Sequence, residues 1–294
     1  QTVDAWTYNG QLPGPEIRAR VGDVVKVTFK NDLREGSTVH WHGVDVPNAM
    51  DGVPDVTQKA VAPGGSFVYQ FVVSTPGTFW YHSHVNEMTQ VRSGLYGPLI
   101  VDPSDPDSRF DREHTVVLAD IGTVSASSSQ PAAGASAAPG AGGAGGMPGM
   151  TGSSGSTDGS GGMMGSPQQP SDYAAAFIMN GKAGGAVPEL AVRQGERIRL
   201  RLINASASAD YYMRLDGHQL APVATDGHDL AQPGEPADLI RISPAERVDV
   251  LLNADHPGVW ALHPADAGQT GKGMQMTVRL SLIHISEPTR QAEI

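Results

Sequence analysis

Pro76-Gly77-Thr78-Phe79-Trp80-Tyr81-His82 is answered late in the chain by Pro257-Gly258-Val259-Trp260-Ala261-Leu262-His263. Both open on a Pro-Gly turn and run into aromatic and aliphatic residues, the composition of a strand. Moving outward, each is preceded by an alternating run, Phe67-Val68-Tyr69-Gln70-Phe71-Val72 in one case and Arg247-Val248-Asp249-Val250-Leu251-Leu252 in the other. Further upstream the echo continues. Asn9-Gly10 and then Gly22-Asp23-Val24-Val25-Lys26-Val27-Thr28-Phe29 correspond to Asn180-Gly181 and then Gly195-Glu196-Arg197-Ile198-Arg199-Leu200-Arg201-Leu202. A Gly-acid turn followed by a period of two is the pattern of a half-buried strand. Two copies of one antiparallel β sandwich account for the repeat, so the sequence predicts an all-β protein.

The first copy carries two His-x-His units, His40-Trp41-His42 and His82-Ser83-His84. On a strand, side chains at i and i+2 share a face about 6.6 Å apart. That is too wide for both imidazoles to hold one small ion comfortably, and it suits two neighbouring ions. Two such units brought together aim four imidazoles at one place, which is the ligand field of a multinuclear copper cluster. Zinc, with its tight tetrahedron, is less favoured by the spacing but stays compatible with it.

Composition narrows the rest. The 294 residues suffice for two domains. Charged residues make up 17%, beside 36 Gly and 22 Pro, a balance that suits loops and strands better than helices. A net charge of −11 argues against a nucleic-acid partner. There is no cysteine, which is compatible with an oxidising compartment. Gln1 leads almost at once into Trp6-Thr7-Tyr8-Asn9-Gly10, so the start reads as a mature N-terminus or the edge of a fragment.

From His40 to Val101 the sequence resembles the first domain of a multicopper oxidase, the laccase and copper-oxidase group. The resemblance rests on His40-Trp41-His42-Gly43-Val44-Asp45-Val46-Pro47, Asp51-Gly52-Val53, Gly77-Thr78-Phe79-Trp80-Tyr81-His82-Ser83-His84 and Gly94-Leu95-Tyr96-Gly97-Pro98-Leu99-Ile100-Val101. It extends, with breaks, over most of residues 5–279. It implies the cupredoxin form of Greek-key sandwich and an extracytoplasmic setting, periplasmic or secreted. It further implies that His40 serves a type 2 copper, His42 and His82 one type 3 copper, and His84 the other. Asp51 corresponds to an acid that assists proton delivery to reduced oxygen, although Asp-Gly is also an ordinary turn signal. The electron donor would be a phenol, an aromatic amine or Cu(I), and the acceptor dioxygen. The family carries its type 1 cysteine in a His-Cys-His segment of its last domain, along with the other four cluster histidines, and this chain has no such segment. Half of the trinuclear site is therefore expected here and the other half in a C-terminal cupredoxin domain.

These readings divide the chain into a first cupredoxin domain at 1–125, a Gly/Ser/Ala/Met-rich linker at 126–170, a second cupredoxin domain at 171–279 and a non-native tail at 280–294. The second copy has His263-Pro264-Ala265 where the first has His82-Ser83-His84, and Asp216-Gly217-His218 near the place of the other pair, so it is expected to bind no copper and to act as a spacer. His218 and His228 beside glycines read as solvated loop residues, with metal ligation the less favoured alternative. The linker cannot offset its ordering entropy by burial. Its Met147, Met150, Met163 and Met164 are soft potential ligands for Cu(I). Leu280–Arg290 resembles a translated transposase adapter of the kind used in preparing sequencing libraries, and is set aside. The leading expectation is a multicopper oxidase fragment that is inactive alone; the alternative is a non-catalytic copper-binding or copper-buffering protein.

Overall fold

The computed structural model describes residues 5–122 and 176–282, and in them alternation turns directly into burial. Val24–Lys30 pairs antiparallel with Ser66–Val72, Val25 opposite Phe71 and Phe29 opposite Phe67. Val25, Phe29, Tyr69 and Phe71 face inward, while Lys26, Lys30, Ser66 and Gln70 face water. Against this pair lies a sheet ordered Ile17–Arg20, Tyr96–Asp102, Gly77–His82, His40–His42. Trp41, Phe79, Tyr81, Leu99 and Val101 close the core between the two layers.

The second sandwich has larger sheets. One is ordered His228–Asp229, Leu220–Thr225, Arg247–Asn253, Arg197–Asn204, Arg112–Ile121, Ala176–Met179; the other Ile240–Ile242, Tyr211–Leu215, Gly258–Pro264, Met276–Ser281, Leu190–Arg193. Leu200, Leu202, Val250 and Leu252 from the first meet Tyr211, Met213, Leu262 and Val278 from the second. The described residues are thus all-β apart from short helical turns, as the repeat implied.

Two boundaries differ from the sequence reading. Arg112–Ile121, grouped above with the first domain, is hydrogen-bonded in parallel to Arg197–Asn204 and antiparallel to Ala176–Met179. Its alternate residues explain the placement: Val116 and Leu118 fill the second core, while Val117 and Ala119 join Trp80, Tyr96 and Ile203 in a cluster that bonds the sandwiches together. At the other end the final strand runs on through Leu280 and Ser281, with Leu280 buried opposite Val192. Residues 283–294 of the tail and the whole 126–170 segment, with its four methionines, lie outside the described residues.

The alternation in Arg197–Asn204 also misleads. It reads as half-exposed, yet Arg199 and Arg201 are 4% and 1% exposed. The first sandwich covers that face and offers the Thr78 hydroxyl, while the carboxylate partners come from neighbouring strands of the same sheet. Arg201 donates to the Thr78 hydroxyl at 2.7 Å and pairs with Glu113 at 2.7 Å. Arg199 pairs with the buried Asp249 at 2.6 Å. An ionic network across the domain contact, rather than solvent, receives the polar side of this strand.

Candidate metal centre

The two histidine-bearing strands are neighbours. His40–His42 pairs antiparallel with Gly77–His82, so that His40 lies opposite His82 and His42 opposite Trp80. Alternation sends Trp41 into the core at 1% exposure and leaves the flanking imidazoles on the other face. Gly77–His82 is buried throughout. Phe79 and Tyr81 serve the first core, and Trp80 faces the interdomain cluster.

Four rings converge. The centroid of His40 lies 5.6 Å from that of His42, 5.3 Å from that of His82 and 5.2 Å from that of His84. His40, His42 and His82 bring one ligand nitrogen each within 4.8 Å of one another. His84 stands beyond the strand end, outside that tight trio, with its Nε2 3.7 Å from the Glu87 carboxylate. Trp80 stacks on both His42 and His82, at 5.1 and 4.2 Å between centroids, and fixes their planes.

The donor chemistry fits a metal. His40 Nδ1 donates to the Asp51 carbonyl oxygen at 2.7 Å, and His82 Nδ1 to the Ser83 carbonyl at 2.9 Å. A ring whose Nδ1 carries the proton keeps the Nε2 lone pair for an ion, and the backbone bond sets its orientation. His42 offers the opposite nitrogen: its Nδ1 lies 3.3 Å from His82 Nε2. Burial pushes the pKa of His42 down to about 3, assisted by the charge of Arg247, and burial also holds His82 far below the usual histidine range. Both imidazoles are therefore neutral near pH 7, the form a metal requires.

A cavity of about 310 Å³ opens beside the rings. The first sandwich lines it with the four histidines, Trp80, Glu87 and Met88; the second contributes Ser206, Ala207, Pro244 and Ala245. Neither Glu87 nor this second wall was singled out in the sequence. Glu87 Oε1 lies 3.4 Å from His82 Nδ1, and its position three residues past His84, in a short helical turn, was the available signal. Asp51 reaches the site by its backbone, and its Oδ1 lies 3.3 Å from His40 Nδ1.

Gly52 makes this attachment possible. Its φ is +77°, and an added Cβ would run into the Val39 carbonyl oxygen beside His40. Gly52→Ala is expected to lower the unfolding free energy by about 2 kcal/mol or more, from left-handed strain plus the clash, and to weaken any metal binding by the histidines as His40 loses its anchor. Urea denaturation and a chelator competition would measure both; a neutral result in both would refute the anchoring role.

The comparisons with known proteins agree with this geometry. Signatures of multicopper oxidases match residues 1–106 and 141–283. The chain is 33% identical to a copper resistance protein A homolog of Pseudomonas syringae over 99% of its length and 49% of that relative, and 34% identical to the multicopper oxidase MmcO of Mycobacterium tuberculosis over 86% of its length and 48% of that relative. It spans about half the length of these curated relatives. Among solved structures, the blue copper oxidase of Nitrosomonas europaea superposes with a TM-score of 0.73 at 30% identity, covering 94% of this chain and 79% of that one. Paired cupredoxin-like sandwiches, facing His-x-His strands and these matches lead to one conclusion: the chain belongs to the multicopper oxidase family.

Proposed function

We propose that this chain is part of a laccase-like oxidase that couples one-electron oxidation of a phenol, an aromatic amine or Cu(I) to the reduction of dioxygen to water, working outside the cytoplasm. The observation that carries the reading is the convergence of His40, His42 and His82, with His84 beside them. Copper held there would supply reversible one-electron chemistry toward dioxygen. The type 2 role of His40, the type 3 roles of His42, His82 and His84, and the division of the cluster between this chain and a further cupredoxin domain belong to the same proposal. The absence of cysteine among the 294 residues supports it, because a type 1 site needs a thiolate.

The chain's own residues have definable parts. Trp80 and two backbone carbonyls hold the rings in a fixed orientation. Asp51, whose side chain is 32% exposed, touches both His40 and solvent and so stands where protons can enter. The cavity of about 310 Å³ beside the rings leaves room for a small molecule. The methionines on which copper buffering would depend lie outside the described residues, and no observation favours that reading.

The test is copper loading of the purified chain followed by oxygen uptake with a phenolic donor and with Cu(I). Copper retention that falls when the four histidines are replaced, with no uptake above free copper, is the expected result. Turnover by the chain alone would overturn the divided-cluster reading, and retention independent of the histidines would overturn the copper assignment.

A further inference from the structure

We propose that the second sandwich, expected from sequence to be free of metal, carries a separate mononuclear site in which His218, Asp255 and His256 hold one divalent transition ion, Cu2+ or Zn2+. One ligand atom from each of the three lies within 4.8 Å of the others. They come from two loops that the fold brings together: the turn after Tyr211–Leu215, and the loop between Arg247–Asn253 and Gly258–Pro264.

His218 is the residue that asks for a ligand. It reads in sequence as a solvated loop histidine, yet it is 8% exposed. Its Nδ1 donates to the Asp216 carbonyl at 3.0 Å, which leaves Nε2 as a lone-pair acceptor. That Nε2 is buried and has no hydrogen-bond partner among the described residues. A buried acceptor without a donor costs free energy unless something unseen satisfies it. The neighbours identify what that is. The Asp255 carboxylate lies 3.9 Å from His218 Nε2 and 2.8 Å from His256 Nδ1. Donors on a tetrahedral ion with bonds of about 2.0–2.1 Å sit roughly 3.4 Å apart, a value these two separations bracket.

Two imidazoles and a carboxylate suit a borderline ion rather than calcium or magnesium, which prefer all-oxygen shells. The surroundings support a cation. Trp260 packs edge-on against His218 at 5.5 Å, and its indole N–H donates to the His256 carbonyl at 2.8 Å, steadying the loop. Asp238 lines the same open cleft. The side chains of Asp255 and His256 are about two-thirds exposed, so both can close the last ångström and an ion can enter from solvent.

Trp260 also provides the readout. Cu2+ in this site should quench its fluorescence, a component isolated by difference from Trp260→Phe, and the chain should hold one more equivalent of Zn2+ at micromolar concentration than His256→Ala does. His256→Ala and Asp255→Asn, both at exposed positions, should each weaken the Trp260 quenching at least tenfold, whereas His42→Ala in the other cluster leaves it unchanged. His218→Gln should behave like His256→Ala. If His256→Ala matches the parent chain in zinc stoichiometry and in quenching, or if quenching needs millimolar copper, the site does not exist and the His218 lone pair is met by water.

Discussion

His82→Ala should weaken copper retention at the cluster more than a hundredfold, the largest effect of any single ligand change in the first sandwich. His82 is central in three ways. Its ring is 4% exposed and stacked on Trp80 at 4.2 Å. Its Nε2 and His42 Nδ1, 3.3 Å apart, face each other as a ready pair. Its Nδ1 is tied to the chain at the Ser83 carbonyl, so little rotamer entropy is lost on binding. Outer partners of metal-bound histidines are worth about 10–100-fold in affinity; removing the ligand itself costs more. His84→Ala should cost less, because that ring lies outside the tight trio. Chelator competition on both variants measures the ratio. Equal losses would mean that burial and preorganisation do not rank these ligands.

The second large effect concerns stability. Asp249→Asn should lower the unfolding free energy by about 3–5 kcal/mol, the range for breaking a buried ion pair by removing one partner. Asp249 is 1% exposed. Its Oδ2 accepts from the Thr78 hydroxyl at 2.8 Å and from Arg199 Nε at 2.8 Å, with Arg201 at 3.2 Å. Neutralising it removes the shortest charge partner of the buried Arg199 and leaves Arg201 only its Glu113 pair. The exposed Lys59–Asp55 pair, 3.1 Å apart, is the control: Lys59→Ala should cost no more than about 1 kcal/mol. Because Thr78 belongs to one sandwich and Asp249 to the other, the Asp249 variant should also separate a single urea transition into two. Matching small shifts in both variants would contradict the buried network.

Much of this was legible in the chain. The repeat about Pro76-Gly77 and Pro257-Gly258 announced two sandwiches, and the His-x-His spacing announced a shared face, because both depend on local periodicity. What depends on distant cover was not legible. Arg199 and Arg201 alternate with aliphatics as surface residues do, and only the first sandwich lying over them makes them interior. Arg112–Ile121 carries no mark of which sheet it will join, because both of its faces are apolar. In sequence nothing links His218 to His256, which sits in the turn before Pro257-Gly258 and is brought near only by the fold. The copper roles carried over from the family were never in the periodicity at all.

Arg247 of the second sandwich reaches across to the turn that follows His42: its guanidinium occupies the space a side chain at Gly43 would need, and its Nε donates to the Thr78 carbonyl at 3.3 Å. A single arginine from a neighbouring lobe thus braces both histidine-bearing ribbons from behind. A substitution in that lobe can therefore shift the imidazoles of the first sandwich without replacing any of them.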